Sequence, residues 1–223
     1  MPKDRPAPVG TSSNTTPSGR PVPPRQRKIA LLGSRSVGKS SLAVQFCDEH
    51  FVDSYYPTIE EQFSKEFKYK GKEYLLEIQD TAGHDEFSIL NPKYAIGVNG
   101  YIIVYSVASR ASFEMVPIIR DKILSYSSVE KVPLCIVGNK SDLEVQRTVK
   151  REEGEALAAK FGCAFTEASA KHNDNVANAF QLVVIEIEKE LNPESAKSAS
   201  SGKESWGTWF KGMFGGPGSS PSN

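Results

Sequence analysis

The stretch Gly33-Ser34-Arg35-Ser36-Val37-Gly38-Lys39-Ser40 constrains this chain more than any other. It follows the apolar run Lys28-Ile29-Ala30-Leu31-Leu32, which reads as a buried strand, and it opens a segment of helical character over 39–48. The spacing G-x-x-x-x-G-K-S in that setting points to a tight turn between a strand and a helix in an α/β sheet. Its glycines let the backbone turn so that successive N–H groups face phosphate oxygens, aided by the positive end of the helix. Lys39 then supplies a cation for the β and γ phosphates, and Ser40 offers its hydroxyl to magnesium. Ser36, Val37, Gly38 and Ser41 complete the loop and the first helical turn. The motif alone does not choose between adenine and guanine.

Around it, short β-type runs alternate with longer helical ones. Runs over 61–69 and 73–79 flank Lys70-Gly71-Lys72 and predict a hairpin. Runs over 100–106 and 133–137, and a shorter one over 163–166, predict further strands. Helical periodicity covers 113–126, 151–161 and 176–190, the last with Val176, Phe180, Val183, Val184 and Ile187 on one stripe. Such alternation predicts an α/β layer fold, a mostly parallel sheet with helices on both faces and ligand sites at the C-terminal strand ends. The expected domain spans 26–192. Residues 1–25 are rich in Pro, Ser, Thr and Arg, and 193–223 in Gly, Ser and Pro, compositions expected to stay disordered.

Lys plus Arg equals Asp plus Glu at 27 each, so no global field points to a nucleic-acid partner. The three cysteines, Cys47, Cys135 and Cys163, fit reduced thiols in the cytosol better than a disulfide framework. No run approaches the roughly 18 apolar residues of a membrane span. A cytoplasmic location is therefore expected.

Asp80-Thr81-Ala82-Gly83 ends the run 73–79, where an acid can hold a magnesium-bound water as the second phosphate-site motif of P-loop enzymes does. Gly83 has no side chain and can bring its N–H close to a γ-phosphate. Thr58, in Tyr55-Tyr56-Pro57-Thr58-Ile59-Glu60, has a hydroxyl for magnesium and an N–H for the γ-phosphate. Both contacts need the γ-phosphate or a tightly held metal, so this loop is expected to tighten with GTP.

Asn139-Lys140-Ser141-Asp142 follows the run 133–137. A carboxylate at a base edge accepts two hydrogen bonds from guanine N1–H and the 2-amino group, donors that adenine lacks there. A site built on such bonds rejects an analogue without them by roughly 10⁴–10⁵. Ser169-Ala170-Lys171 follows the run 163–166, where its backbone can meet guanine O6. Phe51 can cover the base edge-on, or it is simply a core aromatic.

Together these residues resemble the small GTPases of the Ras superfamily, and most closely the Rheb family. The resemblance covers about 27–190 and rests on the phosphate loop, Phe51-Val52-Asp53-Ser54-Tyr55, Pro57-Thr58-Ile59-Glu60, Asp80-Thr81-Ala82-Gly83, Asn139-Lys140-Ser141-Asp142 and Ser169-Ala170-Lys171. Arg35-Ser36-Val37, Tyr55 and the YIIVYSV run beginning at Tyr101 carry the Rheb-like signature. It implies a P-loop fold with a six-stranded sheet, one antiparallel edge strand and five helices. It also implies that Phe51, Val52, Asp53 and Tyr55 line the bound GTP or GDP, with Ser40, Thr58 and Asp80 around Mg2+. The GTP form would activate the TOR kinase complex, and a tuberin-type GTPase-activating protein would accelerate a slow hydrolysis. Residues around Thr58 would form one switch and 83–94 the second.

Two departures bear on the chemistry. His84 stands where most Ras-like proteins have a water-orienting glutamine, and a neutral imidazole offers one donor and one acceptor on a rigid ring. His84 is expected to contribute little to a slow hydrolysis. Arg35 stands where Ras has glycine; its bulk should obstruct an incoming arginine finger, although the guanidinium could instead act in cis. Among the catalytic candidates Lys39, Thr58, Gly83, Tyr55 and His84, the Tyr55 phenol would shield the γ-phosphate from water.

Rheb-like proteins usually end in a prenylated C-a-a-X box. This sequence has no cysteine beyond Cys163, so peripheral contact with endomembranes would need another anchor. Trp206, Trp209, Phe210, Met213 and Phe214 have the spacing of one helical face and could lie in a bilayer interface. Two other readings stay open: a Rap-like signalling GTPase, and a GTP-locked binding module with negligible hydrolysis.

Overall fold

The computed structural model describes residues 23–52, 60–83 and 97–192. Its centre is a six-stranded sheet in the order β2-β3-β1-β4-β5-β6. The strands are β1 (Arg25–Gly33), β2 (Glu60–Tyr69), β3 (Lys72–Thr81), β4 (Gly100–Ser106), β5 (Leu134–Asn139) and β6 (Ala164–Glu167). Only the pairing of β2 with β3 is antiparallel, across the turn Lys70-Gly71; the other neighbours run parallel. The expected sheet, with its antiparallel edge strand, is therefore found.

Four α-helices lie among the described residues, α1 (Lys39–Asp48), α2 (Arg110–Ser127), α3 (Arg151–Phe161) and α4 (Val176–Leu191), where the resemblance implies five. A 3-10 turn, Glu144–Gln146, precedes α3. α2 starts one turn before the periodic stretch because the Ser109 hydroxyl caps it by accepting from the Ser112 amide. Pro117 removes one amide donor inside α2, yet the helix continues because Val116, Ile119 and Ile123 are buried against the sheet.

β4 and β5 are buried along their whole length, which is why they read as continuous apolar runs. Side chains alternate between two cores. Ile29, Leu31, Ile102, Val104 and Val137 face α1 and α4, whereas Ala30, Leu32, Tyr101, Ile103 and Ile136 face α2 and α3. The expected stripe on α4 is buried throughout, and Phe180 stacks on Phe46 of α1 with ring centroids 4.0 Å apart. Cys135 is buried, Cys47 and Cys163 are half-buried, and all three are free thiols. β2, at the sheet edge, alternates exposed and half-buried residues and carries Lys65 and Lys68 among acidic residues, which discourages pairing with another chain.

Candidate functional site

The parallel strands bring four loops to one end of the sheet: those after β1, β3, β5 and β6. Leu31 of β1 pairs with Asp80 of β3, so the acidic residue lies beside the root of the phosphate loop. The loop turns through Ser36 and Gly38, at φ of 58° and 93°, into α1. A side chain at Gly38 would be strained at that φ and would run into the Asn139 side-chain amide. The N-terminus of α1 has neither a side-chain cap nor an acidic residue in its first turn, leaving its N–H groups directed at the loop's concave side.

Lys39 is only 5% exposed, and its ammonium donates to the carbonyls of Ser34 (2.9 Å) and Gly33 (3.2 Å). Burial pulls its pKa down to about 8, opposed by Asp80. The neighbouring Ser40 hydroxyl donates to Asp80 Oδ2 at 2.5 Å. The other oxygen, Asp80 Oδ1, is buried and has no hydrogen-bond partner among the described residues. Burial raises the Asp80 pKa to about 6, although the Ser40 hydrogen bond and Lys39 both pull it down.

A buried carboxylate with an orphaned oxygen, bonded to a hydroxyl, is a hard-oxygen donor set that fits Mg2+. Among the described residues no three His, Cys, Asp or Glu side chains converge on a metal. Mg2+ needs no such cage, because it is usually held by one or two carboxylates together with substrate phosphates.

Gly83 lies against the phosphate loop from the β3 side. A Cβ there would overlap the Arg35 backbone, so only glycine allows this approach. Arg35 itself is exposed at the loop's tip. Gly83→Ala must push the two loops apart. Single-turnover GTP hydrolysis should fall on the order of 10²-fold, the usual cost of moving a reacting group by about 1 Å. GDP affinity should change much less, and an unchanged hydrolysis rate would show that the close approach is dispensable.

The loops after β5 and β6, the expected base-side loops, are tied together. The Asp142 carboxylate accepts the Ser169 hydroxyl at 2.6 Å, and Ser169 is fully buried with its amide and carbonyl both paired to Asp174. Ser169 therefore stands behind Asp142 and fixes its orientation. The Ala170 amide donates to Asn139 Oδ1 at 3.3 Å, while Lys140 adopts a φ of 63° and Lys171 is exposed. Asn139 Nδ2 also donates to the Val37 carbonyl at 2.8 Å. Asn139 thus joins the phosphate loop to both base-side loops, a bridge over 102 residues of sequence that no local spacing announces.

Ser36, Val37 and Ser41 lie in the phosphate loop and the first turn of α1 as expected from the sequence. Phe51 is half-buried and packs against the core under α1 and α4, and Val52 is 47% exposed. Asp53, Tyr55, Thr58 and His84 lie outside the described residues, as do the remainder of both expected switches and both expected tails with the Trp206–Phe214 aromatics.

Comparison with known proteins agrees with this geometry. A sequence model of the Ras family matches residues 28–189. The chain is 63% identical over 172 residues to the GTP-binding protein rhb1 of Schizosaccharomyces pombe, covering 77% of this chain and 93% of that protein. It is 59% identical over 181 residues to the small monomeric GTPase RhbA of Aspergillus fumigatus, covering 81% and 97%. Against the GTP-binding protein Rheb of Homo sapiens the identity is 48% over 181 residues, covering 81% and 96%. The chain belongs to the Ras family of small GTPases, which bind GTP and GDP with Mg2+ and hydrolyse GTP. Within that family it is a Rheb-like GTPase.

Proposed function

We propose that the chain is a slow GTP/GDP switch whose GTP form activates TOR-complex signalling and whose hydrolysis is accelerated by a tuberin-type activating protein. The Rheb-like relatives support the signalling role. The observation that carries the site is the group of buried Lys39 and Asp80 with half-buried Ser40, placed beside the loops that hold Asp142.

In this reading Lys39 holds the β and γ phosphates while the N–H groups around Ser36, Val37, Gly38 and Ser41 cradle them. Ser40, Asp80 and Thr58 would hold Mg2+, which supplies charge neutralisation between the β and γ phosphates. Gly83 directs its N–H at the γ-phosphate. Asp142 accepts from guanine while Asn139, Lys140, Ser169, Ala170 and Lys171 form its surroundings, and Phe51, Val52, Asp53 and Tyr55 lie along the nucleoside. The same reading makes 26–192 the folded domain and places it in the cytoplasm, with peripheral contact at endomembranes through residues beyond 192. Among the described residues no helix is long and apolar enough to cross a membrane.

The test is direct. The chain purified natively should carry guanine nucleotide, and its GTP-loaded form, not the GDP-loaded form, should stimulate a TOR-complex kinase reaction. Equal stimulation by both forms would remove the signalling role and leave the nucleotide switch standing. His84→Gln should change single-turnover hydrolysis by less than about tenfold if the imidazole contributes little to orienting water. A loss of tenfold or more would make His84 a participant.

A GTP-locked module is the second reading, favoured by the exposure of Arg35 at the loop's tip. Multiple-turnover hydrolysis with the activating protein separates the two.

A further inference from the structure

Behind the base-side loops lies an ionic network outside the contacts assigned above. Glu167 is the last residue of β6, directly before Ala168-Ser169-Ala170, and its side chain is 8% exposed. Arg147 comes just after the 3-10 turn that follows Asn139-Lys140-Ser141-Asp142, and its side chain is 16% exposed. The guanidinium grips the carboxylate with both terminal nitrogens, at 2.6 Å to Oε1 and 3.2 Å to Oε2. It also donates to Glu144 at 2.8 Å and to the Val149 carbonyl at 3.1 Å, so Arg147 is itself held in place. Arg151 stands 3.9 Å from Glu167 Oε2.

The space between the loops and this network is filled. At Gly138 a Cβ would come within 2.7 Å of the Tyr105 hydroxyl and 3.2 Å of Glu167 Cγ. Both side chains therefore pack directly against the strand end that carries Asn139. The backbone is tied over the same region: the Ala168 amide donates to the Gly138 carbonyl at 2.9 Å, and the Ser141 amide to the Ala168 carbonyl at 3.1 Å.

We propose that Arg147 and Glu167 are a positioning pair that sets how long the guanine base is held. This rests on the guanine reading of the site. One partner belongs to the segment that carries Asp142, and the other to the strand that delivers Ser169, which orients Asp142. A bidentate guanidinium–carboxylate contact fixes direction as well as distance. Removing either charge unties the two segments: Glu167 is left with Arg151 at 3.9 Å, and Arg147 with Glu144 and the Val149 carbonyl, so nothing in the pair then holds the two loops together. Ser169 then leaves Asp142, whose carboxylate loses its orientation toward the base. The phosphate loop, at the other end of the nucleotide, keeps its own contacts.

The test compares GDP with inosine diphosphate, whose hypoxanthine lacks the 2-amino group that Asp142 accepts from. Affinities and release rates for both are measured with the full chain carrying Arg147→Ala, Glu167→Gln or Arg147→Lys, with thermal melting alongside. Release of GDP from the first two variants should quicken by on the order of tenfold, mid-range for residues coupled in one ionic network. Inosine diphosphate keeps N1–H and so loses one bond to Asp142 where GDP loses two. Its affinity should fall by a smaller factor, the preference for GDP should shrink about threefold, and Arg147→Lys should restore part of that preference. Equal weakening of both nucleotides in step with melting would make the pair purely structural and overturn the proposal. Unchanged GDP release would overturn it as well. Should Arg147→Ala fail to fold, the near-isosteric Glu167→Gln decides. An unmodified chain that binds neither nucleotide would instead defeat the guanine reading itself.

Discussion

Replacing Asp142 by asparagine is expected to lower GDP affinity by on the order of 10⁴, the scale on which a buried hydrogen-bonding site rejects a mismatched partner. Guanine presents two donors, N1–H and the 2-amino group, and the carboxylate offers two acceptors. The carboxylate is already oriented, because Oδ1 accepts the Ser169 hydroxyl at 2.6 Å. An asparagine can keep its oxygen on Ser169, which then turns an amide donor toward the 2-amino group. Two donors face each other, and both lose their water. Xanthine carries a carbonyl in place of that amino group, so xanthosine diphosphate should bind the variant better than GDP does. Competition against a fluorescent nucleotide reads both effects. Retention of GDP with no gain for the xanthine nucleotide would show that the base is recognised elsewhere.

Lys39→Ala is the second large effect, a loss of GDP affinity by about 10²–10³, within the range for truncating one partner of a buried, hydrogen-bonded charge pair. The ammonium rests on the Gly33 and Ser34 carbonyls. These contacts hold the cation at the centre of the loop even though burial disfavours its charge. Alanine removes both the cation and the contacts that curl the loop around it. Equilibrium dialysis against GDP in magnesium buffer gives the number. A change of less than about tenfold would mean that the backbone N–H groups carry the phosphates alone.

The fold was legible in the sequence because its strands announce themselves. β4 and β5 each contain a continuous apolar run, since both of their faces are covered, and α1, α3 and β4 fall at the expected bounds. β5 and β6 end one or two residues later than expected because Gly138, Asn139 and Glu167 are polar or small yet lie in the ladder. Glu167 in particular looks like a loop residue until Arg147 is seen beside it. The site was legible as far as its motifs are local. Lys39 with Ser40, Asp80, and Asp142 each sit in a short motif that its own stretch of chain displays. The rest depends on contacts between distant stretches, such as the Ser169 hydroxyl behind Asp142 and the Asn139 amide on Val37. No periodicity or spacing encodes those, because they are created by the order in which the sheet stacks its strands.

The Asn139 side chain has one amide hand on the Val37 carbonyl and its oxygen on the Ala170 N–H. The loops after β1, β5 and β6 therefore share one pin. A displacement of the Val37 carbonyl and one of the Ala170 N–H pull on the same planar group, so the loop after β1 and the loop after β6 are coupled through one carboxamide.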